Sequence, residues 1–545
     1  MFVPFLRLYL SCLTTLAHLP SLSCQTLLQV LSVDHEAHLL PHLLAEVAPE
    51  DFCARRGLCN RPQCRLWDAK THFEPAVVQA TLERLHASTR LSKLMHDARM
   101  MLEESAKAIA TAERAKRGWD FLDVGQHLPA WDDDNDTFSP KDTLRGASWR
   151  GKDCQDLAAS VYPGRRVTDY PPEVDHNCNG IAGRDETGNS LEEVLCGKSE
   201  PRGVIVLGDS ISAHFHIPVP SRANLTLDDL FLMALNEIDY PQCSWGTGFA
   251  QDFKLCSEVS QLALTSVYQK LAERNRCNHR DYQNISRNGA RSSSTYRDLV
   301  PTIGRHSDTD HPSIVFYSML ANDVCNGRNG TGSMTPPADF HLHVTNTLVH
   351  LNTVLAPGST VVLVGLIHGE LMWESIHDEP HFIGATYGAL WDFLACLEET
   401  ACWGWLNADP YWRQATSDHA ESLRVVLRDI AASQRYANLN VVYMEHPDRE
   451  YHRDYAYVPL SLSLSLKDDR GITSSFFFCF FSSNAGGSLF DLYEVMDGGH
   501  PSVTGEILMG DYIWRLMERD FPDALGPVNP NNARIQALFG DQGGY

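Results

Sequence analysis

No two cysteines of this chain stand in C-x-x-C spacing, so neither a zinc ribbon nor a thioredoxin-type redox motif is on offer. Positive charge is scarce: 45 Lys and Arg face 69 Asp and Glu, leaving −24 at pH 7. Backbone phosphates demand a basic surface, so the deficit excludes nucleic acid as a partner. Beyond the N-terminal stretch there is no apolar run near the roughly 18 residues that a membrane-crossing helix needs, and no transmembrane span is expected. An acidic surface can still hold cations, or meet lipid aggregates through apolar patches.

Length, cysteine and apolar residues are plentiful. A chain of 545 residues exceeds one ordinary domain, and its 43% hydrophobic content supports a substantial core. The 15 cysteines fall at 12, 24, 53, 59, 64, 154, 178, 196, 243, 256, 277, 325, 396, 402 and 479. Scattered at this density they suit a disulfide-bonded secretory protein. Sequons at Asn135, Asn224, Asn284 and Asn329 point the same way. The expected location is secreted or lysosomal. The opening "MFVPFLRLYLSCLTTLAHLPSLSC" is apolar, but an arginine and two prolines interrupt it, so its reading as a signal peptide stays open.

Four regions follow. Residues 1–66 are leucine-rich with helical periodicity and five cysteines. Residues 67–129 read as a helical linker whose basic run "AERAKRG" is a processing site. Residues 130–200 are rich in Asp, Asn, Gly and Pro and lack periodic segments. From 201 to 545 short apolar runs at 203–209, 312–320, 359–369 and 439–446 alternate with helical stretches such as 223–237, 338–354 and 418–437. Buried strands alternating with helices imply a parallel sheet covered on both faces, a three-layer α/β/α domain.

The 130–200 segment places Asp132, Asp134 and Asp136 at alternate positions of "DDDNDTF", then offers Asp153 and Asp156 in "DCQD" and Asp175, Asn177 and Asn179 in "VDHNCNG". Acidic and amide oxygens so spaced can wrap one hard cation, since calcium takes six to eight oxygens in flexible geometry. Gln155 and Asp185 are weaker candidates. The plain alternative is a solvated acidic linker. Repeated Asp-x-Asp with "NCNG" is more specific than a charge run, and it resembles the calcium-binding aspartate repeats of extracellular proteins. A structural Ca2+ is therefore expected, with Cys154 and Cys178 placed to close the loop.

"GVIVLGDS" ends an apolar run at Ser210, where ligands of open α/β sheets bind. Position 212 is Ser, so this is not the G-x-S-x-G elbow. A serine needs a base, usually a histidine oriented by a carboxylate. "DGGHPS" supplies His500 and, three residues before it, Asp497. Oxyanion donors are also required. "RNGA" offers the Gly289 N–H and "LANDVC" the Asn322 amide, beside the N–H of Ser210 itself. His214 and His216 sit close to Ser210 in sequence, but packing or a supporting hydrogen bond explains them at least as well as catalysis.

In this order the four blocks resemble the SGNH (GDSL) hydrolases, whose domain is flavodoxin-like. The resemblance implies Ser210 as nucleophile, His500 as base and Asp497 as its orienting carboxylate, with Ser210, Gly289 and Asn322 forming the oxyanion hole. "RGVIVLGDSISAHFHI", "RNRCNHRDYQNISRNGA", "NDVCNG", the "DCQD…VYPGRR…NCNGI" segment and the terminal "LFGDQGGY" further resemble the acyloxyacyl hydrolase family. That family joins a saposin-like small subunit to a GDSL-type large subunit and removes secondary acyl chains from the lipid A of bacterial lipopolysaccharide. The resemblance implies lipopolysaccharide and other acylated lipids as partners. It also implies a disulfide-linked two-subunit form after processing, with Cys64 as the link. The alternatives are a general phospholipase or acyl esterase, and a non-catalytic saposin-type lipid-binding protein; the intact Ser, Gly, Asn and Asp-x-x-His set speaks against the last.

Two departures accompany the resemblance. A saposin domain pairs six cysteines; Cys12 and Cys24 match the middle pair and Cys53 and Cys59 the last two, so the first helix is expected to be missing and the domain incomplete. Residues 458–486 combine a Ser-Leu alternation with a Phe-rich run and resemble no catalytic block. Ser, Leu, Phe and Cys can all take pyrimidine-rich codons, and the stretch runs from a valine, whose codon opens with GT, to "NAG"; a retained-intron insertion is expected, the alternative being a genuine insertion loop before His500. The "WGWL" stretch at 403–406 is expected to lid an acyl pocket.

Overall fold

A computed structural model describes residues 127–142, 144–166, 171–217, 238–249, 264–325, 328–381, 384–397, 400–457, 463–467, 473–477 and 488–545. The expected saposin-like piece, nearly all of the linker with its processing site, and the 223–237 helix lie outside them. Five strands form one sheet: β1 (Gly203–Gly208), β2 (Tyr282–Asn284), β3 (Ser313–Ser318), β4 (Ser359–Val364) and β5 (Leu439–Met444). All neighbours are parallel, in the order β2-β1-β3-β4-β5. Every residue of β1, β3 and β4 is buried, as a strand covered on both faces requires. That is why these strands appear in the sequence as unbroken apolar runs. β2 is three residues long and reads Tyr-Gln-Asn, with neither the length nor the apolarity that marks the others.

From β1 the chain goes to β2 on one side, then returns past β1 to β3 on the other. Right-handed crossovers in opposite directions put their helices on opposite faces. The point of reversal opens a crevice at the carboxyl ends of β1 and β3. Among the described residues the α-helices of four or more residues are α1 (Leu191–Cys196), α2 (Ser210–Ala213), α3 (Val267–Arg274), α4 (Pro337–Val354), α5 (Glu370–Ile376), α6 (Tyr387–Leu397), α7 (Pro410–Ser433), α8 (Asp448–Tyr457), α9 (Val503–Asp520) and α10 (Asn532–Phe539). α4 packs on α7, and α3 on α9. α7 starts earlier than its periodicity alone suggests because Asp409 caps the Tyr411 N–H and Pro410 takes the first helical position. Its buried stripe is Thr416, Ala420, Leu423, Leu427 and Ile430.

The acidic segment is not a free linker. Residues 149–151 run antiparallel to β2: Asn284 N donates to Trp149 O (2.6 Å), and Gly151 N donates to Tyr282 O (2.9 Å). The segment thereby covers a sheet edge that would otherwise expose unpaired backbone groups. Arg150 is fully buried there and donates to Gln283 Oε1 (3.1 Å), Thr302 O (2.9 Å) and His127 O (2.5 Å). The C-terminal tail ties the same region down, with Gln542 Nε2 bonding Asn179 O and Arg280 bonding the carbonyls of Gly543 and Gly544. Disulfides Cys154–Cys178 and Cys196–Cys277 cross-link these parts, and Cys325–Cys402 bridges two loops of the α/β domain. Of the 458–486 stretch, β6 (Ser463–Lys467) and β7 (Thr473–Phe477) pair antiparallel with each other and not with the five-stranded sheet.

One sequon changes meaning. The Asn284 side chain is fully buried in β2; its Nδ2 serves Ser212 O, Ser244 Oγ and Thr247 Oγ1, and its Oδ1 accepts from Ser286 N. No glycan fits there in the folded chain. Asn135 and Asn329 are exposed, and Asn224 lies outside the described residues.

Replacing Arg150 by Ala takes this donor from the Thr302 and His127 carbonyls in the core and leaves Gln283 held by Gly304 alone. Chemical denaturation is expected to find about 3 kcal/mol less stability.

Candidate active site

β1 delivers its last residues into the crevice. A side chain at Gly208 would run into Ser212 and come within 2.8 Å of Ser286 Oγ, so the turn tolerates only glycine. Asp209 caps α2 by accepting from Ile211 N (3.2 Å), which leaves Ser210 at the first helical position. An N–H there has no partner within its helix. Ser210 is 5% exposed.

The histidine arrives on a turn closed by its own backbone. Glu494 N donates to His500 O and Gly498 N to Glu494 O, each at 2.8 Å. Asp497 Oδ1 accepts from Gly499 N (2.8 Å) and His500 N (3.2 Å). Its other oxygen meets His500 Nδ1 at 2.5 Å, and His500 Nε2 meets Ser210 Oγ at 2.8 Å. Ser210, His500 and Asp497 thus form one hydrogen-bonded chain. Gly498 has φ +63°, and a Cβ on it would lie 2.6 Å from the Tyr387 ring. Tyr387 Oη and Trp391 Nε1 from α6 bond Val495 O (2.6 Å) and Asp497 O (2.8 Å), fixing the turn from outside. The Phe215 ring lies 4.5 Å from the His500 ring.

The charges follow this geometry. Burial pushes the His500 imidazole down, but the Asp497 carboxylate outweighs it through charge and hydrogen bond, and the net shift is upward from 6.5. Burial raises Asp497, yet His500 and two backbone N–H groups bring it below 3.8. The pair is therefore organised to hold an imidazolium beside a carboxylate.

The two expected oxyanion turns are sewn to the Ser210 turn. Asp209 Oδ2 accepts from Leu320 N and Ala321 N, both at 2.9 Å, which docks the Asn322 turn on α2. Arg287 N donates to Gly208 O (3.1 Å), which docks the Gly289 turn on the end of β1. Asp323 joins the two turns, accepting from Ser292 N (2.9 Å) and Ser292 Oγ (2.7 Å). Gly289 is exposed with φ +75°, and nothing lies within 4 Å of where a Cβ would stand. Asn322 Nδ2 is buried without a hydrogen-bond partner, a donor left for something else to meet. The 403–406 stretch is no loose lid: Trp405 and Leu406 are core residues, and Cys402 beside them is bonded to Cys325 on the Asn322 turn.

His214 and His216 do not contact the reacting atoms. His216 Nδ1 instead binds Glu494 Oε1 at 2.7 Å, linking the serine arm to the histidine arm. Glu494, Phe215, Asp323 and the anchoring role of Asp209 carry no local signal in sequence, because each acts on a residue distant in the chain.

The proposed cation ligands fall into two groups. Asp132, Asp134 and Asp136 offer carboxylate oxygens within 4.8 Å of one another. Asp153 crowds them electrostatically, and Asp156 accepts from Asp133 N (3.0 Å). One oxygen each of Asp134, Asp136 and Asp153 is buried without a partner. Burial and then mutual repulsion raise Asp136 to about 8 and Asp153 to about 6. Orphaned, crowded carboxylate oxygens fit a hard cation. Asp175, Asn177 and Asn179 gather elsewhere, where Asp175 accepts from Asn179 N and Gly180 N and both Asn amides reach Glu192. Glu192 looks in sequence like an ordinary first-turn acid of α1, yet burial raises it to about 7. Asp185 caps its own turn through Thr187 N and Asn189 N, and Gln155 N donates to Asp153 Oδ1.

A parallel 2-1-3-4-5 sheet with a serine, histidine and aspartate at its switch point defines a GDSL/SGNH-type fold, and residues 204–513 match the GDSL-like lipase/acylhydrolase family model. The protein is an ester-hydrolysing enzyme of that class. Its relatives narrow the class. Acyloxyacyl hydrolase of Oryctolagus cuniculus is 39% identical over 78% of this chain and 70% of its own. The Homo sapiens protein of that name is 34% identical over 95% and 84%, and the Mus musculus protein 34% over 91% and 81%. The chain belongs to the acyloxyacyl hydrolase family. A solved extracellular lipase from Streptomyces rimosus aligns at 13% identity and TM-score 0.27, covering 58% of this chain and 98% of that one, a superposition too loose to carry detail.

Asp209→Asn puts an amide donor against backbone N–H groups and unties the Asn322 turn. Ester hydrolysis should show kcat down about a hundredfold while circular dichroism stays native.

Proposed function

We propose that this enzyme removes secondary fatty acyl chains, those esterified to the hydroxyls of other acyl chains, from the lipid A of lipopolysaccharide through an acyl-serine intermediate. The observation that carries the reading is the chain from Ser210 Oγ through His500 to Asp497, at 2.8 and 2.5 Å. Ser210 Oγ attacks the acyl carbonyl while His500 Nε2 takes its proton. The developing oxyanion is met by the N–H groups of Ser210 and Gly289 and the Asn322 amide. His500 then gives the proton to the leaving hydroxyl oxygen, and the acyl-serine forms. Water, deprotonated by the same imidazole, releases the fatty acid. The acyloxyacyl hydrolases it is similar to support the acyloxyacyl ester over other lipid esters.

The same reading includes a saposin-like small subunit from residues 1–66, disulfide-linked after cleavage in the 67–129 linker, and a secreted or lysosomal location. Three disulfides among the described residues support an oxidising route of synthesis. It also includes structural calcium. Asp132, Asp134, Asp136, Asp153 and Asp156 would hold one ion, and Asp175, Asn177 and Asn179 with Glu192 would serve the second cluster. Bound calcium supplies the charge that keeps these carboxylates ionised, and no catalytic step uses it.

Two experiments follow. Fatty-acid release from lipopolysaccharide should fall at least about a thousandfold in Ser210→Ala with an unchanged melting temperature. Equal release by both proteins removes Ser210 from its role, and release from glycerophospholipid with none from lipopolysaccharide overturns the lipid A reading. For calcium, the sign comes from linkage. Carboxyls raised on folding stabilise the native state below their unfolded pKa and lose that contribution as pH climbs through the raised value. In EGTA the melting temperature should therefore fall as pH rises from 3.8 toward about 8, and added Ca2+ should abolish the slope. A melting temperature near pH 8 that added Ca2+ leaves unchanged rules out the cation site.

A further inference from the structure

Just behind the triad lies a buried cluster that the reaction does not use. His214, His216 and Glu494 each offer a ligand atom, and these atoms lie within 4.8 Å of one another. All three residues are buried. The two rings stack 5.7 Å apart and 8° from parallel, His214 being the left-handed residue that ends α2. The His214 ring is wholly shielded from solvent, and neither of its nitrogens has a hydrogen-bond partner. A neutral imidazole always carries one N–H donor and one bare acceptor, so burying both unmet is costly. Glu506 stands beside it, also fully buried. One of its oxygens accepts from Trp245 N (2.7 Å); the other is unmet, 3.7 Å from His214 Nδ1 and too far for a hydrogen bond.

We propose that His214, His216 and Glu494 bind a divalent transition-metal ion, zinc by preference, with Glu506 as the nearest further donor. The donor chemistry separates it from the acidic segment: calcium takes oxygens only, whereas two imidazoles and a carboxylate are a familiar zinc set. The charges also close. Two buried carboxylates, two neutral imidazoles and one divalent cation sum to zero, and one of the two orphaned nitrogens of His214 gains a partner. Tetrahedral zinc holds N and O ligands about 3.3 Å apart, so the 2.7 Å His216–Glu494 contact has to open by about 0.6 Å to admit it.

The ion's place defines its role. It touches no reacting atom. His214 and His216 flank Phe215, whose ring packs on His500, and Glu494 bonds His500 through the backbone. The ion staples the arm that carries the nucleophile to the arm that carries the base.

The test is elemental analysis of the full-length chain secreted by cultured cells, incubated with zinc chloride and then desalted. One zinc per chain is expected in the wild type. In Glu494→Gln and His214→Asn zinc should drop to background while bound calcium is unchanged. Cobalt-loaded wild type should show the visible absorption of a tetrahedral ion, lost in the same variants. A wild-type chain that retains no stoichiometric transition metal overturns the proposal without recourse to any variant. So does zinc retained in full by both variants when circular dichroism shows them folded.

Discussion

The site depends on one carboxylate that takes no part in the chemistry. Asp209 spends its oxygens on three backbone N–H groups: one starts the helix of Ser210, and two belong to the turn of Asn322. It is fully buried, and burial raises it to about 6. Three N–H donors make an anion tolerable there. Without it the carboxyl ends of β1 and β3 are merely adjacent. With it, the turns of Ser210 and Asn322 are held together.

Around that knot the chain supplies braces of different kinds. The Gly289 turn is held to β1 by a backbone bond and to the Asn322 turn by Asp323. The histidine turn is closed by its own backbone and gripped by Tyr387 and Trp391. Covalent bonding enters at Cys325–Cys402, which joins the Asn322 turn to the segment bearing Trp405. Each brace crosses between elements far apart in sequence. Preorganisation of this sort lets donors meet a developing charge without reorganising at the moment of reaction.

What could be read in the sequence was local. β1, β3, β4 and β5 announce themselves because a strand covered on both faces must be apolar throughout, or nearly so at the edge. Asp497 and His500 are legible because three residues of turn suffice to bring carboxylate and ring together. β2 was hidden because it is short and polar, and its stability comes from Arg150 and the acidic segment laid along it. His216 could be read as a supporting residue, but its partner Glu494 was hidden because 278 positions separate them. Glu192 was masked by looking like an ordinary helix-start acid. The lid expected at 403–406 failed for a related reason: aromatic composition cannot distinguish a flap from a core strut.

Asn284 leaves a mark on biosynthesis. Its side-chain amide is fully consumed inside β2, so the sequence offers a glycosylation signal that only an unfolded chain can present. Transferase and folding therefore compete for the same nitrogen. A sugar added there first leaves Ser212, next to the nucleophile, without its partner, and β2 cannot settle against β1. A glycan on this nitrogen and the folded β2 exclude one another.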